Sequence, residues 1–148
     1  MLRAKHLDML TSMANLALTF WNQGRRKEAK ELQVKELEIC SRVLRVEHPG
    51  TLISMANLAL TFWNQGRWKE AEELFIQVME TRKIVLRAEH LDTLTSIANL
   101  ASTFWNQRRW KEAEKLEVQV METEKRVLRA EHPDTLASIA NLALTFRN

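Results

Sequence analysis

The sequence predicts an all-α solenoid: seven helices stacked as antiparallel pairs in one domain of 148 residues. Three observations predict it. The phrase ANLALTFWNQG at 14–24 returns unchanged at 56–66, as ANLASTFWNQR at 98–108 and as ANLALTFRN at 140–148, each time 42 residues on. A fixed period of this size marks stacked supersecondary units that share a continuous core. Within each unit the apolar residues recur at steps of three and four, which puts them on one face of a helix. Two prolines, three glycines and no tyrosine leave the chain short of strand and turn markers and rich in helix formers. Residues 51–92 and 93–134 are identical at 32 of 42 positions, so the units are copies of one module.

The elements follow in order. The first copy of the phrase forms α1, roughly residues 9–22, and the turn Asn22-Gln23-Gly24 uses the permissive glycine. Helix α2, roughly 25–46, carries KEAKELQVKELE at 27–38, whose alternating charges form a wet face. In the second unit Leu52, Met55, Leu58, Ala59 and Phe62 define α3, roughly 51–64. After Asn64-Gln65-Gly66 comes α4, roughly 67–88. Ala71, Leu74, Phe75, Val78, Ile84 or Val85, and Leu86 line its apolar side. Lys69, Glu70, Glu73, Arg82 and Lys83 line its polar side. The third copy gives α5 (roughly 93–106) and α6 (roughly 109–130), and the fourth gives α7 (roughly 135–147). The units thus run about 9–50, 51–92 and 93–134, with a half unit at 135–148. Arg108 stands where Gly24 and Gly66 stand, so this turn is expected not to need a positive φ. At the junctions Pro49 and Pro133 stop the preceding helix, with Leu7 and Leu91 in the other two copies. Asp92, Asp134 or the threonine after each is expected to cap the next helix. Phe75 is matched by Gln33 and Glu117, which predicts looser packing in the outer units.

Several function classes fall away. The net charge of +3 is spread among alternating Lys, Arg and Glu, without the clustered footprint of a nucleic-acid surface. No apolar run approaches a membrane span, and the charged start MLRAKHLDML is no secretory signal. The single cysteine, Cys40, excludes an internal disulfide and points to a reducing, cytoplasmic setting; it reads as a small helical filler. The four histidines, His6, His48, His90 and His132, keep the 42-residue spacing. Stacked units place equivalent residues about 10 Å apart, whereas zinc takes ligands at about 2 Å. They read as hydrogen-bonding groups at helix junctions, and no metal or cofactor is expected. Glu70, Glu73, Glu112 and Lys115 are repeated helix-surface charges. Catalysis needs a unique constellation in a pocket, so no enzyme is expected.

The spacing of Leu58, Ala59, Phe62, Gly66, Ala71, Phe75 and Val78 resembles the tetratricopeptide signature. The 42-residue form, with H-P-D-T-L at 132–136 and N-L-A inside the first helix of each pair, resembles the repeats of kinesin light chains. It also resembles the arrays of fungal and bacterial nucleotide-binding, NLR-like signalling proteins. The resemblance implies a right-handed superhelix and a protein-interaction scaffold with a concave groove lined by the first (A) helix of each pair. In peptide-binding members the position matching Asn15, Asn57, Asn99 and Asn141 hydrogen-bonds the peptide backbone, and a carboxamide can both donate and accept there. Asn57 and Asn99 would be the centre of that ladder. The same geometry turns Ile53, Ala56, Leu60, Trp63 and Asn64 to the groove, and in the next unit Ile97, Ala98, Ser102, Trp105 and Asn106. Such an apolar wall suits a peptide or protein partner. The competing reading is that tight curvature buries the stripe, with Trp21, Trp63 and Trp105 in the core. Trp68 and Trp110 are expected to pack on the preceding unit, with Arg26 in the first copy.

Helix α7 keeps Leu136, Ile139, Leu142 and Phe146 with no partner helix after it. The expectation is a piece of a longer array, or self-association through Ile139, Leu142 and Phe146. Two functions therefore stand at this point: an interaction scaffold using the groove, or a structural, self-assembling array with no separate ligand.

Overall fold

The computed structural model describes residues 2–148, with side chains from Lys5 onward. Its elements are α1 (Leu2–Asn22), α2 (Arg26–Leu44), α3 (Pro49–Asn64), α4 (Trp68–Val85), α5 (Leu91–Asn106), α6 (Trp110–Leu128) and α7 (Pro133–Phe146). The described residues hold no strand. Each helix packs mainly on the next in sequence, the arrangement of a solenoid. Helix α1 is longer than expected, because LRAKH is helical whereas the matching LRAEH at 86–90 and 128–132 forms a junction. Nothing in those letters forbids a helix. In the later copies packing between two successive helices overrides propensity.

Alanines set how closely the helices approach. Ala29, Ala71 and Ala113 occupy one register of α2, α4 and α6 and are fully buried. Around them the largest apolar cluster joins Ala59, Phe75, Met79, Leu94, Ile97 and Phe104. Phe75 is its keystone at 1% exposure. Gln33, in the same register, is half-buried and accepts a 2.7 Å hydrogen bond from Thr61 Oγ1. Cys40 packs with Leu10 and Leu44 in a smaller cluster, the filler role expected of it.

The junctions differ from expectation in an instructive way. His48, His90 and His132 are themselves the N-caps of α3, α5 and α7. Their Nδ1 atoms accept from the backbone N–H of Gly50, Asp92 and Asp134 at 3.0, 3.1 and 3.1 Å. Neither the aspartates nor the threonines cap. The imidazole supplies the acceptor that an orphan N–H of the first turn requires. His6 lies inside α1 and makes no such cap. The turn at Arg108 also departs from expectation: φ is +60° there, against +76° at Gly24 and +74° at Gly66. The turn geometry is set by the two packed helices, and arginine adopts it at a steric cost. Arg45, Arg87 and Arg129 also lie at positive φ, one at each B-to-A junction.

A clamp closes each A-to-B turn. Arg25, Arg67 and Arg109 stack over Phe20, Phe62 and Phe104 at 4.2, 4.5 and 4.2 Å. Each also pairs with the glutamate three residues on, Glu28, Glu70 or Glu112. Arg109 reaches further, to Glu72 of the preceding unit at 2.9 Å.

Candidate interaction face

Helices α1, α3, α5 and α7 each turn one stripe into the core and leave the opposite one free. On the free stripe Asn15 and Asn57 are exposed and Asn99 is half-buried. Leu60 is 40% exposed and Trp105 is 37% exposed. Ile53 is exposed with them, and Leu18 and Leu144 occupy the Leu60 position in α1 and α7. Successive A helices are not among each other's main packing partners, so curvature does not bury this stripe. Trp63 is the exception. It is half-buried against the main cluster, and its indole N–H has no partner among the described residues. Ile97, expected on the groove wall, is fully buried. It matches Met55, which lies two residues on from Ile53 and so about 200° round the helix, and belongs to the core stripe.

Asn64 and Asn106 donate Nδ2 to the carbonyls of Leu60 and Ser102, both at 2.9 Å. Each amide thus bonds back to a carbonyl one turn earlier in its own helix. Trp110 packs edge-on against Trp105 of its own unit, with ring centres 5.2 Å apart. Arg26, at the Trp110 position of the first copy, lies over Trp21 at 4.8 Å. The arginine therefore replaces an aromatic pair with a cation–π contact.

A cavity of about 260 Å³ opens on this face between α5, α6 and α7. Trp105, Ala98 and Leu144 form apolar walls, and Ser102, Asn141 and Glu117 supply polar atoms. Glu117 Oε2 is buried and has no hydrogen-bond partner among the described residues. Burial pushes the Glu117 carboxyl above the usual carboxylate range, and the nearby Thr145 hydroxyl works against that shift. In the first unit burial likewise raises Glu36. The cavity was not foreseen from sequence, although its signal was present: Phe75 becomes Glu117, and Leu60 becomes Ser102.

One serine register, whose last copy Ser138 lines the cavity, meets three different partners. Ser138 donates to the buried Glu124 at 2.5 Å, while Ser96 accepts from Arg82 at 2.8 Å. Ser54 stands beside Cys40, whose thiol is pushed up mainly by burial and further by Glu36, against the Ser54 contact.

At α7 the expected self-association set divides. Leu142 is 6% exposed and belongs to the packed stripe. Helix α6 covers that stripe, so Leu142 is not part of an open patch. Phe146 is 62% exposed, and Ile139 and Leu136 are exposed as well. No described helix is long and apolar enough to cross a membrane.

The tetratricopeptide repeat family matches residues 8–84 and, in an overlapping register, 54–123. No curated protein matches. Among solved structures, nearly identical TPR-like repeats from a kinesin light chain-type protein of Podosopora anserina share 36% identity with a TM-score of 0.82. That match covers 93% of this chain and 65% of the other. A single-substitution variant of the same repeats gives 35% identity and a TM-score of 0.83, over 95% and 66% of the two chains. The chain therefore spans just under two thirds of the length of those structures. BtubC (BKLC) from P. vanneervenii shares the fold at 16% identity, with a TM-score of 0.83 over 93% of this chain and 55% of the other. Repeat period, helix order and these matches agree, and the chain belongs to the tetratricopeptide repeat family.

Proposed function

We propose that this chain is a protein-interaction module that receives an extended segment of a partner protein along the face of α1, α3, α5 and α7. Tetratricopeptide repeats generally mediate protein–protein interaction, and the scaffold is typically non-enzymatic. The observation that carries the finer reading is the open stripe of Leu60, Trp105, Asn57 and Asn15 on successive A helices. Exposed apolar side chains interleaved with carboxamides suit a polypeptide, which offers alternating side chains and backbone polar groups. Trp63, Asn99, Asn64 and Asn106 complete the proposed surface. A phage-displayed random peptide library panned on the chain supplies ligands, and calorimetry measures them against variants. Asn57→Ala with Asn99→Ala should weaken binding about tenfold, or 1.4 kcal/mol, as should Leu60→Glu. Selected peptides that bind all variants equally would show that the face is not the site.

A second reading, self-association, is favoured by the exposed Phe146 and Ile139 on α7. The double variant Ile139→Glu, Phe146→Glu should lower the solution mass measured by sedimentation if α7 is the contact. Leu142 is left intact in that test because its burial would confound folding with association.

A further inference from the structure

The cavity at Glu117 is where the third unit departs from the second in one direction. Ten positions differ between 51–92 and 93–134. Two of the third-unit residues, Ser102 and Glu117, line this cavity, and a third, Glu124, holds Ser138 on its wall. Ser102 is smaller than its counterpart Leu60, Glu117 is negative where Phe75 is apolar, and Glu124 is negative where Arg82 is positive. In the second unit Phe75 fills the equivalent space and is 1% exposed. The third unit thus combines room for a long side chain, an aromatic wall at Trp105 and a buried carboxylate oxygen with no partner among the described residues. No Lys or Arg is among the residues lining the cavity. A buried, unpaired acceptor is costly, and a cation from outside would satisfy it with a charge-assisted hydrogen bond. The flat face of Trp105 favours the same ligand through its quadrupole. Ser102 and Asn141 offer oxygen acceptors to the remaining N–H groups.

We propose that the cavity between α5, α6 and α7 takes a basic side chain, arginine or lysine, from an extended segment of a partner protein. The proposal rests on the interaction reading above and gives it a chemical requirement. The test uses isotope-labelled protein and four acetylated, amidated heptapeptides. Each has an alternating glycine and serine background, with arginine, lysine, norleucine or glutamate at the centre. The arginine or lysine peptide should shift the Trp105 indole N–H and the Ser102 and Asn141 amides saturably, and the norleucine and glutamate peptides should not. Glu117→Gln should weaken that response at least about tenfold, the loss of one charge-assisted contact. Glu117→Phe, which restores the residue of the second unit, should abolish it while keeping the helical spectrum. Equal shifts from neutral or acidic peptides, an unchanged response in Glu117→Gln, or silence at the cavity with every peptide would overturn the inference. Shifts at Asn57 and Leu60 that ignore the central residue would leave the interaction reading standing while this inference falls. Silence along the whole face would remove both.

Discussion

Replacing Phe75 by alanine tests whether the stack is held mainly at its second unit. The ring is 1% exposed and sits in the cluster with Ala59, Met79, Ile97 and Phe104. Truncating a buried phenylalanine costs about 3–5 kcal/mol, from lost transfer free energy plus the cavity left behind. Unfolding entropy near 60 °C is about 2.1 cal/mol/K per residue, so in a chain of this length 1 kcal/mol moves the midpoint by about 3 °C. Phe75→Ala should therefore lower Tm by about 10–15 °C, followed by circular dichroism at the helix band. The repeat supplies its own controls. Gln33→Ala removes a half-buried amide and its bond to Thr61, and should cost about 1 kcal/mol. Glu117→Ala removes a carboxylate whose Oε2 is buried without a partner among the described residues and should cost little or stabilise. Three equal shifts, or a Phe75→Ala shift below about 3 °C, would refute the claim that one aromatic concentrates the core.

Three further outcomes are expected. Arg108→Gly should stabilise by about 1 kcal/mol, since φ of +60° suits glycine at little steric cost; a lower urea midpoint would contradict the strained-turn account. His90→Ala should cost about 1 kcal/mol through loss of the N-cap acceptor to Asp92 N–H, with amide exchange rising first at the start of α5. Glu117 gives a pH signature. Its folded pKa is raised, so the native state holds more protons than the unfolded chain, and stability falls as pH rises through that window. Glu117→Gln should therefore be more stable than wild type at pH 7, with the gain fading below about pH 4, where the unfolded carboxyl is also protonated. A gain that grows on acidification would refute it.

The fold was legible because the repeat supplied four readings of the A helix and three of the B helix. One stripe with steps of three and four could be misjudged once, but not at every copy. What the letters hid was conformation imposed by neighbours. Arg108 takes a positive φ although it replaces a glycine, because two docked helices dictate the turn. His48, His90 and His132 cap where aspartate was expected, since an imidazole reaches the same N–H with its Nδ1. LRAKH and LRAEH are nearly the same string and adopt different structures. The candidate face was half legible. Leu60 and Trp105 lie open, as the resemblance implied, but Ile97 shares the core register of Met55, and Leu142 shares that of Leu58 and Leu100 and is covered by α6. The Glu117 cavity needed three helices in space, because its walls come from residues spread over more than forty positions of sequence.

The serine register at the joints has a consequence for how such a gene changes. A hydroxyl both donates and accepts, and here it accepts from Arg82 at one joint and donates to Glu124 at the next. The joint therefore tolerates opposite charges on the incoming helix without any change on the receiving one. A recombination event that inserts, deletes or reorders a block of 42 codons brings a serviceable joint with it. Between such events the residue facing the serine is free to drift, as Cys40, Arg82 and Glu124 show. The array can thus lengthen by copying while each copy acquires its own chemistry.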